Sequence, residues 1–171
     1  MKLHEFKMIQ PEEISDNVFK LIDKDWMLIT AGTHEKYNCM TASWGGMGIL
    51  WKKPVVFLFI RPTRYTYEFA ENNQRMSVCF FSEKYRDILN LCGTKSGREI
   101  EKMHIEGLTP MITGEGTPFY NEARMAVFVR KIYSQLLDKD LILEPAVHKL
   151  YNGSDYHKMY ICEIEKIMIK E

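Results

Sequence analysis

Between Tyr37 and Tyr67 the chain has no aspartate or glutamate, while Lys52, Lys53, Arg61 and Arg64 all fall inside that interval. The chain's 23 basic and 23 acidic residues cancel, so the missing acids concentrate positive potential locally and leave no broad basic face of the kind nucleic acid needs. Long apolar runs are missing too. The stretch Val55 to Ile60 falls far short of the roughly 20 residues of a membrane-spanning helix, so no membrane partner is expected. Cys39, Cys79, Cys92 and Cys162 form no C-x-x-C pair and have no evident basic neighbour. They read as reduced, partly buried thiols, dispensable for redox chemistry. His4, His34, His104, His148 and His157 lack metal-ligand spacing, and no metal is expected. No Gly-x-Gly-x-x-Gly follows a strand, and Gly45-Gly46-Met47-Gly48 does not match it, so no Rossmann nicotinamide site is visible. The opening MKLHEFKMIQPEE lacks the apolar core of a secretory signal, which points to a cytosolic protein. Asn152-Gly153-Ser154 is accordingly read as a tight turn, not a glycosylation site.

What is present suits one packed globule. At 171 residues, 46% hydrophobic and 12% aromatic, without repeats or linker-like stretches, the chain is expected to form a single domain over 1–171. Ser15 and Asp16 are placed to cap a short helix carrying Val18, Leu21 and Ile22, and Trp26 to Ala31 reads as a strand before a Gly32 to Tyr37 loop. Met40 and Ala42 alternate with Thr41 and Ser43, as in a strand with one face on the core; Gly45 to Gly48 then reads as a turn. Val55 to Ile60, apolar throughout, reads as a strand buried on both faces and ended by Pro62. A short helix with Tyr65, Phe69 and Ala70 and a strand at Met76 to Phe80 follow. Next comes a helix capped by Ser82 and stopped by Gly93, with Tyr85, Ile88, Leu89 and Cys92 on one face. Ser96 and Glu99 have capping-box spacing, predicting a second helix that begins near Gly97 and runs past Arg98 and Lys102. After a turn at Gly107 to Pro110, strands are expected at Met111 to Glu115, Met125 to Leu137 and Met159 to Ile169, with loop and a short helix over Asp138 to Tyr151. Many strands and few helices mean a barrel or sandwich.

The stretch N-x-M-T-A-S-W-G from Asn38, followed by K-P-V at Lys53 and R-P-T-R-Y-T at Arg61, resembles the flavin reductase-like, flavoredoxin-type proteins of the FMN-binding split-barrel superfamily. LCGTKSGREIEK (Leu91 to Lys102), GLTP (Gly107 to Pro110) and DYHKMYICEIE (Asp155 to Glu165) continue the likeness in the right order over most of the chain. The resemblance implies an antiparallel, Greek-key-like split β-barrel with a few short flanking helices. It further implies a homodimer with FMN at the subunit boundary, and hydride or electron transfer with NADH or NADPH as possible donor. An electron carrier of flavoredoxin type, served by a redox protein partner without nicotinamide turnover, is the alternative; a non-redox flavin-binding module or a heme-binding split barrel ranks lower.

The residues themselves offer matching chemistry. Arg61 and Arg64 can give bidentate bonds to a phosphate, supplemented by the hydroxyls of Thr63, Thr66 and Ser96 beside Pro62 and Tyr65. A helix start at Ser96-Gly97-Arg98 would turn free amides to the same anion. Spacing alone leaves surface arginines and an ordinary cap equally open, and the resemblance decides for the cofactor. By the same resemblance Met40, Thr41, Ala42, Ser43 and Trp44 would meet the ring edge and ribityl chain. Trp44 and Trp51 also suit core or dimer packing. His157 opens a strand and, in similar reductases, a histidine near this place faces nicotinamide or flavin. Glu163 and Glu165 read as a solvated strand face. No catalytic residue stands out.

Overall fold

A computed structural model describes residues 6–170; His4, with the rest of residues 1–5, and residue 171 lie outside it. Among the described residues ten strands appear: β1 (Phe6–Ile9), β2 (Met27–Gly32), β3 (Tyr37–Ala42), β4 (Gly45–Leu50), β5 (Lys53–Ile60), β6 (Arg75–Phe80), β7 (Pro110–Ile112), β8 (Pro118–Tyr120), β9 (Met125–Leu136) and β10 (Lys158–Lys170). Eight form an antiparallel sheet in the order β3-β2-β6-β9-β10-β5-β4, with β1 added on β10, while β7 and β8 make a separate ribbon. The helices are short: α1 (Val18–Lys20), α2 (Tyr65–Asn72), α3 (Arg86–Thr94) and α4 (Pro145–His148). The expected mainly antiparallel split barrel with a few short helices is the fold.

β10 joins its parts. One edge runs along β9, whereas the other is divided, Lys158 to Glu163 pairing with β5 and Ile167 to Lys170 with β1. Register shifts at Ile161/Cys162 and Ile164/Lys166 bend the strand so that it can serve both partners. Inside the curve Ile29, Met40, Val56, Leu58, Ile60, Val78, Val127 and Tyr160 pack together. Each large apolar side chain buried there contributes about 1.5–3 kcal/mol. A second core, with Leu28, Cys39, Leu89, Cys92, Phe119 and Tyr120, seats α3 against the sheet's other face.

Several local readings change. Gly45 to Leu50 is an edge strand, not a turn; the chain reverses at Trp51 and Lys52, both at positive φ, 51° and 59°. Asn17 caps α1 through Lys20 N (3.1 Å), freeing Asp16 to bind Arg124 (2.8 Å). Gly93 lies within α3, and its reason is proximity: a Cβ there would come 3.3 Å from Cβ of Thr41. The helix expected from Gly97 is a single turn. Ser96 N does donate to Glu99 Oε2 (2.9 Å), yet nothing carries the winding on, so Ser96-Gly97-Arg98 presents no helix terminus to an anion. On β5, Val56, Leu58 and Ile60 are buried, but Phe57 and Phe59 on the other face are only half-buried. Glu163 and Glu165 are not freely solvated, being paired with Lys53, Arg130 and Arg75 across the sheet. The turn at Asn152-Gly153 is present, both at positive φ.

Candidate functional site

The close of β3, the Ser43-Trp44 link, the end of β5 and the residue before β10 meet at one cleft of about 160 Å³, lined by Met40, Thr41, Ala42, Ser43, Trp44, Phe59, Arg61, Arg64 and His157. Eight of these were singled out in the sequence; Phe59 was not, because it sits in an unbroken apolar run. β3 fixes the floor. Thr41 Oγ1 donates to Leu89 O of α3 (2.5 Å), and its neighbours Met40 and Ala42 pack against the main core.

The arginines differ in what already neutralises them. Arg98 is paired with Glu68 and lies 4.8 Å over the Tyr65 ring. Arg61 is 3.9 Å from Asp155, donates to Leu150 O (2.8 Å) and sits 5.0 Å over the Tyr151 ring. Asp155, which sequence separation hid, also accepts from Thr63 N (3.1 Å) and Thr63 Oγ1 (2.6 Å). Arg64 alone of the three has no carboxylate partner among the described residues; its Nη1 donates to Gly93 O (2.8 Å). It therefore brings an uncompensated charge to the cleft wall.

The remaining sequence candidates lie around this cleft, not in its lining. Pro62 and Thr63 face a neighbouring groove of about 750 Å³ with Gln135, Leu137, Asp155 and Tyr156. Thr66 is buried and its hydroxyl takes a hydrogen bond from Asn38 Nδ2 (2.7 Å). Gly97 packs on the same Asn38, where any Cβ would meet Oδ1 at 2.0 Å. Trp51 is in the hairpin turn, edge-on to Tyr133 at 6.2 Å.

His157 is buried beneath Trp44 (ring centroids 5.1 Å) and edge-on to Phe59 (6.4 Å), with Nδ1 2.9 Å from the Tyr151 hydroxyl. Burial, then the Arg61 and Arg64 charges against the opposing Asp155, lower its pKa to about 4, so it is neutral at pH 7. Behind the floor lies a cluster that linear spacing concealed. Cys39 Sγ and Cys92 Sγ are 3.9 Å apart, and the buried Lys102 Nζ donates to the carbonyls of both residues, at 3.1 and 2.8 Å. The thiols thus do have a paired neighbour and a basic one. Burial lowers the Lys102 pKa, while contact with Cys39 and burial push the Cys92 thiol well up.

A positive, half-apolar cleft lined by Arg64, the Ser43 hydroxyl and the Trp44 ring suits an anionic ligand with a flat ring; the Thr41 hydroxyl has its proton on Leu89 O. The cleft volume is below the roughly 300 Å³ at which enclosing small-molecule sites begin, so a flavin seated here would need a further wall. The profile of the flavin reductase-like domain family matches residues 21–171. No curated protein sequence matches the chain. Among solved structures, an FMN-binding protein from Thermus thermophilus with bound p-hydroxybenzaldehyde superimposes at TM-score 0.69 with 16% identity, covering 96% of this chain and 82% of that one. Flavoredoxin from Methanosarcina acetivorans gives 0.68 and 18%, over 95% and 77%. The styrene monooxygenase flavin reductase from Pseudomonas putida S12 gives 0.59 and 14%, over 84% and 78%. At such identities the likeness is one of fold.

Proposed function

The chain belongs to the flavin reductase-like domain family, and on that premise we propose that it holds FMN at the Met40 to Trp44 and Arg64 cleft and passes hydride or electrons through it, with NADH or NADPH as donor. The observation that carries this reading is Arg64, a cation on the wall of a cleft with no carboxylate partner among the described residues. A phosphate supplies the missing charge and accepts from the guanidinium. Ser96 and Arg98, on the neighbouring turn, would act further from that phosphate, beside Thr63, whose carbonyl accepts from Arg98, and Tyr65, whose ring lies under it; the charge of Arg98 is already paired with Glu68. The exposed Trp44 ring and the backbone of Ala42 and Ser43 offer an apolar face and close polar edge to an isoalloxazine. When bound, the flavin supplies the redox chemistry, and the protein supplies position and electrostatics. His157, neutral and buried, adds a polar contact without a charge.

The small cleft, the half-buried Phe57 and Phe59 and the exposed Tyr133 on the same face support a homodimer in which a second copy provides the missing wall. A cytosolic location, where four free thiols stay reduced, belongs to the same reading. A flavoredoxin-like carrier with a protein redox partner is the second reading, favoured by the little room the cleft leaves for a nicotinamide beside the flavin. Purified protein should be yellow, or take up FMN with quenching of its fluorescence. Anaerobic mixing with NADH and with NADPH then separates the two, since bleaching by either marks a reductase and bleaching by neither marks a carrier. Failure to bind any flavin would overturn both.

A further inference from the structure

We infer that Tyr151 is the positioning residue of the cleft: its phenol fixes His157 with the proton on Nε2, so that the wall offers a neutral hydrogen-bond donor to an acceptor atom of the bound ring. The part that concerns the ring rests on the flavin reading above; the part that concerns the two side chains does not.

Tyr151 and His157 are 5% and 9% exposed, and the phenol oxygen lies 2.9 Å from Nδ1. Among the described residues Nδ1 is the hydroxyl's single hydrogen-bond partner. A buried phenol must place its proton on an acceptor or be left as an unsatisfied polar group shut off from water, which is costly. Burial also raises the Tyr151 pKa, which keeps the phenol protonated. A neutral imidazole that accepts at Nδ1 carries its hydrogen at Nε2. That nitrogen makes no hydrogen bond among the described residues, and its side chain lines the cleft.

The groups around the imidazole agree. Arg61 and Arg64 oppose a second proton on the ring, and the Asp155 carboxylate that would favour one is engaged by Thr63 and Arg61. Tyr151 is itself well held, which is what lets it orient its neighbour. Its ring stacks on Tyr156 at 4.4 Å with planes 21° apart, Arg61 lies over it, and Tyr156 is anchored by His148 Nδ1 at 3.0 Å. The same tyrosine thus sets both a cation and a neutral donor at one end of the cleft. A ligand atom with a free lone pair, such as a ring carbonyl, suits this position; one presenting N–H does not.

The test begins with flavin-free, 15N-labelled full-length protein at pH 7, where long-range 1H–15N correlation distinguishes the tautomers. The expected spectrum has His157 protonated at Nε2 and bare at Nδ1, and Tyr151→Phe, which keeps the ring but removes the hydroxyl, populates both tautomers. FMN should bind this variant about two- to tenfold more weakly, the worth of one oriented neutral hydrogen bond. A parent spectrum with the proton on Nδ1, or on both nitrogens, overturns the inference even if the variant does not fold. An unchanged Nε2–H tautomer in Tyr151→Phe overturns it as well. Should the tautomer behave as expected while FMN does not bind at all, the flavin reading falls and the positioning of His157 by Tyr151 stands.

Discussion

Arg64 and His157 share a cleft, yet one should govern affinity and the other the response to acid. A hydrogen bond to a charged group is worth roughly 1.5 to 3 kcal/mol, so Arg64→Ala should weaken FMN binding about ten- to a hundredfold. Riboflavin, without the phosphate, should bind parent and variant alike. Because Arg64 also holds Gly93 O, unfolding of the flavin-free forms must be compared before the difference is assigned to phosphate. Equal losses for both ligands would return Arg64 to a structural role. His157 acts through its depressed pKa, about 4 in the fold against 6.5 for the unperturbed group. Between those values the unfolded chain takes up a proton that the folded one refuses, so stability falls as the pH drops from about 6.5 to about 4. Urea midpoints measured through that window should fall less steeply for His157→Gln than for the parent. Parallel slopes would show that the imidazole titrates normally.

Among the elements, the β4–β5 hairpin is the one built against its own residues. A two-residue loop with positive φ at both centres is the type I′ geometry that Asn-Gly prefers, yet Trp51 and Lys52 occupy it. Relieving the left-handed strain at Lys52 with Lys52→Gly should stabilise the protein by about 1 kcal/mol in urea unfolding. A loss of stability would mean that the lysine side chain makes a contact worth more than the strain. This hairpin also shows what the sequence could reveal. The alternation of Met40 to Ser43 and the unbroken Val55 to Ile60 announced strands, because burial writes itself into periodicity. Three glycines within four residues erased the same signal in β4, where backbone pairing with β5 alone makes the strand. Ser96 and Glu99 made their capping bonds, but nothing local says that the chain stops winding after one turn. In the cleft, the residues contributed by continuous motifs were legible. Asp155 on Thr63, Tyr151 on His157 and Lys102 between Cys39 and Cys92 were not, since each pairing is created by the fold across a sequence gap, short or long, that carries no pattern.

For the molecule as a whole, the proposed dimer rests on the outer surface of β5 and β9. Phe57 and Phe59 are half-buried, Tyr133 is 41% exposed and Trp51 58% exposed. Sedimentation at micromolar concentration should therefore give a dimer, and a monomer that still binds FMN would refute the second-copy wall. The divided edge of β10 has a kinetic consequence. Lys158 to Glu163 must find β5, about a hundred residues earlier, and Ile167 to Lys170 must find β1, earlier still. Loop closure over such separations is entropically costly before any contact rewards it. Until β10 docks, β5 has only β4 beside it and β9 only β6, leaving two half-sheets with open edges. Refolding should thus be slow, with its late phase set by the capture of one strand, and on a ribosome the two halves must wait, edges bare, for that strand to emerge.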